Sequence, residues 1–314
     1  MNPAFSVILL TTASGAGYGM LAWLGVLNLV RVLPTAPWFG VASVLVALAL
    51  CAVGLLASTL HLGHPERAWR AVSQWRSSWL SREGVLALLT NLPALAFAAC
   101  WFFAGPARPA TVALGLVSAV CALATVVCQA MIYVSLRPIR QWANPLVLPN
   151  LFLLALLSGA AWLAAAVAAA GHPATIEAAI GVVLAVAACA AKWTYWTRID
   201  AAPPVATIES ATGLGAIGPV RALEAPHTEQ NFLLREMGYA IARKHAARLR
   251  VIALAIGFVV PALLLLAGIA VGIAVDRVML PVAAIVALLG IYIERWLFFA
   301  EATHTVTLYY GRRV

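Results

Sequence analysis

Charge is scarce in this sequence: 10% of its 314 residues are charged and 64% are hydrophobic, where soluble domains carry about a quarter charged residues. Water is therefore not its main solvent. Cysteine pairs are missing too. Cys51, Cys100, Cys121, Cys128 and Cys189 fall singly inside apolar runs, with no C-x-x-C spacing. That excludes an iron–sulfur cluster or zinc site built from this chain's own cysteines and leaves them as small buried apolar residues. The apolar runs also lack the period of two that barrel strands require, which excludes a membrane β-barrel. The first run has no basic n-region and no convincing cleavage site, and it is too long for a signal peptide, so it reads as a retained helix.

What the sequence has in abundance is apolar stretches near the roughly 20 residues that cross a bilayer. They lie at 5–32, 37–61, 84–105, 110–134, 148–170, 174–197, 250–273 and 278–302. Breaks fall at Pro34 and Pro37, the charged 62–83 segment, Gly105-Pro106, Arg137-Pro138 and Gly171-His172-Pro173. The expected fold is all-α, a polytopic integral membrane protein with eight transmembrane helices. Residues 1–197 carry the first six, 198–249 form a loop, and 250–314 carry the last two with a short tail. An even number of spans puts both termini on one side. Fifteen loop cations, from Arg67 to Arg313, lie on that side, against Arg31, Arg108 and Arg277 on the other. The positive-inside rule makes the first face cytoplasmic. The net charge of +9 thus reflects membrane orientation rather than a nucleic-acid footprint.

The 198–249 loop is proline-rich in its first half and too poor in large apolar residues to bury a core, so a partner protein is its natural support. Gly213, Gly215 and Gly218 match G-x-G-x-x-G, but no strand precedes them and Pro219 follows, so they carry no nucleotide signal. The second half, from Thr228 on, has the pattern of an interfacial helix running into the seventh span.

Ionisable groups at membrane depth are costly unless paired, which makes each a functional candidate. The second span ends at Ser58-Thr59-Leu60-His61 and the third begins at Ser81-Arg82-Glu83, so two antiparallel neighbours bring His61 and Glu83 to one depth. Tyr133, Arg137 and Arg140 close the fourth span at the same boundary. The first span offers Thr11, Thr12, Ser14 and the approachable Gly15 and Gly17 slightly deeper. Four helices can converge there on a polar pocket within residues 1–134. A quinone suits such a pocket: its ring fits apolar side chains, its carbonyls need hydrogen-bond donors, and its tail needs lipid. His61 can donate and shuttle a proton. Glu83, partly desolvated, can pass protons in from the cytoplasm. Arg67 and Arg82 can hold acidic groups or developing negative charge, and His64, after Gly63 and before Pro65, is a further candidate. Read alone, His61 fits a helix-end residue bonded to a backbone carbonyl better than a functional one. Glu294 and Arg295 in the eighth span, with Glu301 beyond, suggest structural ion pairing of Glu294 or Glu301 with Lys192. Haem is not expected, because His172 is external, His64, His227 and His245 lie in loops or flanks, and only His61 and His304 remain near helix ends.

STLHLGHPERAWRAVSQWRSSWLSREG, followed after one span by MIYVSLRPIRQW, resembles the membrane-anchor subunits of dimethyl sulfoxide reductases, also found with sulfite dehydrogenases, over almost the whole chain. TIESATGLG and TEQNFLLREMGYAIARKHA look more like the anchors of sulfite-oxidising complexes. The resemblance implies a three-subunit assembly in the bacterial inner membrane: a molybdopterin catalytic subunit, a subunit with four iron–sulfur clusters, and a haem-free anchor that binds ubiquinone or menaquinone. It places the histidine of H-L-G on His61 and the glutamate of S-x-E on Glu83, with Ser81 opening that element. Quinone binding or proton transfer is then expected of His61, Glu83, Arg67, Arg82, Ser81, Tyr133, Gly15 and His64. Docking of the iron–sulfur subunit is expected of Arg70, Arg76, Arg137 and Arg140. An anchor that oxidises quinol for a sulfoxide reductase, a transporter, and a purely structural tether are the alternatives.

Overall fold

Eight long apolar helices make up the architecture: α1 Phe5–Leu29, α2 Pro37–Thr59, α3 Trp79–Ala104, α4 Pro109–Val134, α5 Val147–Ala169, α6 Thr175–Ala201, α7 His245–Val271 and α8 Asp276–Ala300. The computed structural model describes residues 4–60, 62–204, 206–221, 223–224, 241–271 and 273–310, without the side chains of 241–244 and 273–275. No strand occurs among the described residues. The expected interfacial helix from Thr228 falls largely outside them, although the chain is helical again from Ile241.

Local chemistry sets the helix ends. Pro37 and Pro109 open α2 and α4, where a missing N–H costs nothing and the fixed φ is already helical. Ser78 caps α3 by accepting from the Ser81 N–H at 3.4 Å, and Gly105 ends it at φ 87°, a conformation closed to most side chains. The cap starts α3 five residues before the apolar boundary at 84. Ser81 and Glu83 are therefore helical and buried rather than part of a loop. Similarly, α6 runs past 197 to Ala201, because backbone hydrogen bonding does not stop where hydrophobicity does.

The helices form two halves. In the first, α1 packs on α2 and α4 while α3 packs on α2 and α4; in the second, α7 packs on α6 and α8. Contacts of α5 with α1, α6 and α8 join the halves. Lipid supplies no hydrophobic drive between spans, so close approach of small residues does the work. At the α1–α5 crossing, a Cβ on Gly19 would overlap the Ala155 carbonyl and one on Gly159 would overlap the Gly19 backbone. Near its start, α1 widens into a π-helical turn at Leu10–Ser14. There Thr11, Thr12 and Ser14 turn their hydroxyls back onto the carbonyls of Ile8 and Leu10.

Candidate functional site

A cavity of about 740 Å³ lies in the first half, at the level where α1 begins and α2 ends. Its walls come from α1 (Val7, Leu10), α2 (Leu55, Ser58, Thr59), α3 (Leu80, Glu83, Ala87, Leu88) and α4 (Gln129, Ile132, Tyr133). Its outer wall is the connection after α2, where Pro65–Val72 forms a 3-10 helix. The lining is overwhelmingly apolar, yet Glu83, Gln129 and Tyr133 sit in it with no more than 6% of their surface exposed. Leu80 and Leu88 at its edge are 54% and 63% exposed, so the cavity is not sealed toward the side of the bundle that faces acyl chains.

The buried polar groups form a chain across three helices. Gln129 Nε2 donates to Glu83 Oε1 at 2.9 Å and to Ser14 Oγ at 3.3 Å, while Ser14 donates to the Leu10 carbonyl within the π turn. A buried carboxyl with one amide donor on it can hold or release a proton without losing its place. Tyr133 is fixed by edge-on contacts to Trp142, Phe298 and Phe299, with centroids 5.3–5.5 Å away. At the mouth, His64 Nδ1 lies 3.0 Å and Arg67 Nε 3.6 Å from the Glu66 carboxylate, all exposed.

Of the residues singled out by sequence, Glu83, Tyr133, His64 and Arg67 line this one cavity. His61 lies outside the described residues; its neighbours Thr59 and Leu62 are on the wall. Ser81 and Arg82 do not line it. The Ser81 hydroxyl donates to the Ala71 carbonyl. Arg82 donates to the carbonyls of Trp75 (2.9 Å) and Arg76 (2.7 Å) with its guanidinium over the Trp79 ring. Both brace the connection that covers the cavity. Gly15 faces Ala155 of α5 instead, because α1 turns that side toward the other half of the protein. On the surface, Arg70 and Arg76 stack on the exposed Trp69 and Trp75, and Arg137 is exposed. Arg140 is engaged by its own chain, donating to the carbonyls of Ile199 (2.8 Å), Ala202 and Pro203. Sequence reasoning misses Gln129. Its signal is that it is the only amide of α4, four residues before Tyr133 and hence on the same helix face.

The other half holds an ion cluster. Glu294 receives Lys192, and Arg295 through Nε at 2.6 Å and Nη2 at 2.8 Å, with none of the three more than 1% exposed. Lys192 also lies over Tyr195, 4.1 Å from the ring centroid. Glu301 pairs with Arg250 at 2.9 Å, so of the two partners open to Lys192 the structure pairs it with Glu294. No group of three or more metal-ligating side chains occurs among the described residues.

Eight helices long and apolar enough to cross a membrane, with a largely apolar cavity among the first four, define a multi-pass membrane protein. The chain belongs to the DMSO reductase anchor subunit (DmsC) family, whose model matches residues 1–311. It is also 38% identical, over 328 aligned positions covering 99% of both chains, to a sulfite dehydrogenase subunit of Allochromatium vinosum. The protein is accordingly a membrane anchor of an oxidoreductase.

Proposed function

We propose that this anchor is the quinone-reactive subunit of a sulfite-oxidising complex, passing electrons from an iron–sulfur subunit into the membrane quinone pool. The observation that carries the reading is the cavity itself. A volume of about 740 Å³ falls within the ~300–1,000 Å³ of small-molecule sites, its walls are apolar, and a carboxyl, an amide and a phenol meet at its inner end. That donor set fits a flat ring with oxygen atoms, and the exposed Leu80 and Leu88 leave a way in from the acyl chains. A bound quinone supplies an acceptor for two electrons and two protons.

The chain's own part is to bind, orient and move protons. Val7, Leu10, Leu55 and Ile132 hold a ring against Tyr133. Glu83 exchanges the proton, and Gln129 fixes the carboxyl that does so. His61, one residue beyond Leu60 at the end of α2, supplies the second hydrogen bond. His64 and Arg67 at the mouth connect Glu83 to the aqueous side. That side is cytoplasmic by the distribution of Lys and Arg. Ubiquinone and menaquinone share the required chemistry.

The iron–sulfur subunit docks on the same face, where Trp69, Trp75, Arg70, Arg76 and Arg137 are exposed, so that its last cluster lies within tunnelling reach of the cavity. The molybdopterin subunit, which carries the substrate chemistry, sits beyond it. The name of the Allochromatium vinosum relative favours electron flow toward quinone.

Glu83→Gln and His61→Ala in the intact complex, titrated with a quinone analogue, test this reading. Quinone-linked electron transfer is expected to collapse while transfer from the catalytic subunit to a soluble dye persists. Unchanged quinone-linked rates in both variants, with the complex assembled, would leave the protein a structural tether.

A further inference from the structure

Gln129 lines, besides the large cavity, a void of about 10 Å³, the lower limit for one water molecule. Its lining is unusually polar for the middle of two helical bundles: Thr11 and Thr12 from the π turn of α1, Gln129 from α4, Ser158 from α5 and Arg295 from α8. Arg295 is 1% exposed, and its Nη1 has no hydrogen-bond partner among the described residues, although Nε and Nη2 are both spent on Glu294. A buried guanidinium nitrogen without a partner is expensive, and natural proteins answer such groups with ordered water that makes two to four hydrogen bonds.

We propose that a single buried water in this void accepts from Arg295 Nη1 and donates to Gln129 Oε1, making Arg295 a positioning residue for Glu83. The inference rests on the reading of Glu83 as the proton-exchanging group. Its force comes from the direction of the bonds. Arg295 can only donate, the water relays, and the Gln129 amide, engaged at Oε1, is left with its NH₂ toward Glu83, where it donates. Arg295, the water and one N–H of Gln129 then donate in sequence toward the Glu83 carboxylate, and each bond polarises the next. Ser14, whose own hydrogen is spent on Leu10, accepts from the same NH₂ and keeps the amide in that orientation, so the water acts on the strength of the bond to Glu83. Thr12 and Ser158 already donate their hydroxyl hydrogens to backbone carbonyls, so each offers the water an acceptor only. The Lys192–Glu294–Arg295 cluster of the second half thereby acts on the cavity of the first across the α1–α5 seam.

The test is the pH profile of quinone-linked electron transfer in the intact complex. Ser158→Val fills the void without altering a charge; Arg295→Lys keeps a cation beside Glu294 but removes the fork that reaches the void. The titratable and charged groups around Glu83 are Tyr18 of α1, Cys51 of α2, Arg82 of α3, Cys128 and Tyr133 of α4, and His64, Glu66 and Arg67 at the mouth. His61 beyond the described residues completes the set, and neither variant changes any of these. With the donor chain cut, the carboxyl keeps its proton to higher pH. The profile is expected to move up by about one pH unit in both variants, because a weaker hydrogen bond to the charged form favours that form less, with dye-linked transfer unchanged. A profile that stays in place in both assembled variants overturns the proposal, as does a density map with Arg295 Nη1 bonded directly to protein and nothing in the void. If Glu83→Gln abolishes quinone-linked transfer while Ser158→Val and Arg295→Lys do nothing, only the bridge falls. If Glu83→Gln does nothing, both readings fall.

Discussion

Replacing Glu294 by Gln is the most informative insult to the fold, because one side chain neutralises two buried cations. Glu294 takes Lys192 and two bonds from Arg295, and none of the three reaches solvent. Gln keeps the shape but offers one acceptor in place of two charged ones, and it aims an NH₂ into a cationic site. Breaking a buried pair by removing one partner costs about 3–5 kcal/mol, since the orphaned charge cannot return to water. That is roughly two to three and a half orders of magnitude in the ratio of folded to unfolded protein. Titration of the detergent-solubilised protein with sodium dodecyl sulfate, followed by the fluorescence of its 11 tryptophans, reads this loss directly. The companion is Lys192→Met with Glu294→Leu and Arg295→Met, which removes all charge at similar volume. It is expected to stay within about 1 kcal/mol of the parent or exceed it, because apolar replacement of an entire buried ion group is often neutral or favourable. The reasoning is refuted if Glu294→Gln loses less than about 1 kcal/mol, or if the triple variant is weaker than the single one.

Gly159→Ala should cost about 1–3 kcal/mol by forcing α1 from α5, because its Cβ would overlap the Gly19 backbone. At Gly84 the nearest atom is the end of Val72 at 3.4 Å, so Gly84→Ala should be nearly silent in the same unfolding titration. Gln129→Leu should lower quinone-linked turnover roughly ten- to hundredfold, the value of a hydrogen bond to a charged group, with dye-linked transfer intact. Glu301 follows α8, where burial pushes its carboxyl up against the opposing pull of Arg250. Between the ordinary carboxylate range and that raised value the folded chain binds more protons than the unfolded one. Stability should therefore fall as pH rises through this window and level off above it, and Glu301→Gln should flatten the slope of melting temperature against pH. Arg140→Ala should speed protease cleavage near 199–204 by freeing three carbonyls from one guanidinium.

The eight spans were legible because hydrophobicity alone specifies them, and their ends were misjudged where caps and backbone hydrogen bonds decide. Trp79 opens α3 because Ser78 caps it, a fact that a hydropathy boundary at 84 does not contain. The site was legible at helix ends, where Glu83 and Tyr133 stand out against hydrocarbon. Gln129 was not, since a lone amide in an apolar run acquires meaning only when folding sets Glu83 on one side of it and Ser14 on the other. The partner of Lys192 was open for a similar reason. Both α6 and α8 run toward the same face, with Lys192 nine residues from the end of its helix and Glu294 six from the end of its own. The depths match, whereas Glu301 lies beyond the helix. Arg82 was expected at the cavity on charge alone. The backbone carbonyls of the 73–78 connection, which the sequence does not display, claim it first.

The central position of α1 has a bearing on how the protein is made. With α5 it is the most enclosed of the spans, and it is the least apolar of the eight by hydropathy. Yet it leaves the ribosome before α2, α4 and α5, the helices that enclose it. Until then its glycines and hydroxyls face lipid, so the newborn span is held by neighbours still to be synthesised. Chains truncated before Val147, the first residue of α5, are accordingly expected to be the ones that membrane proteases clear fastest.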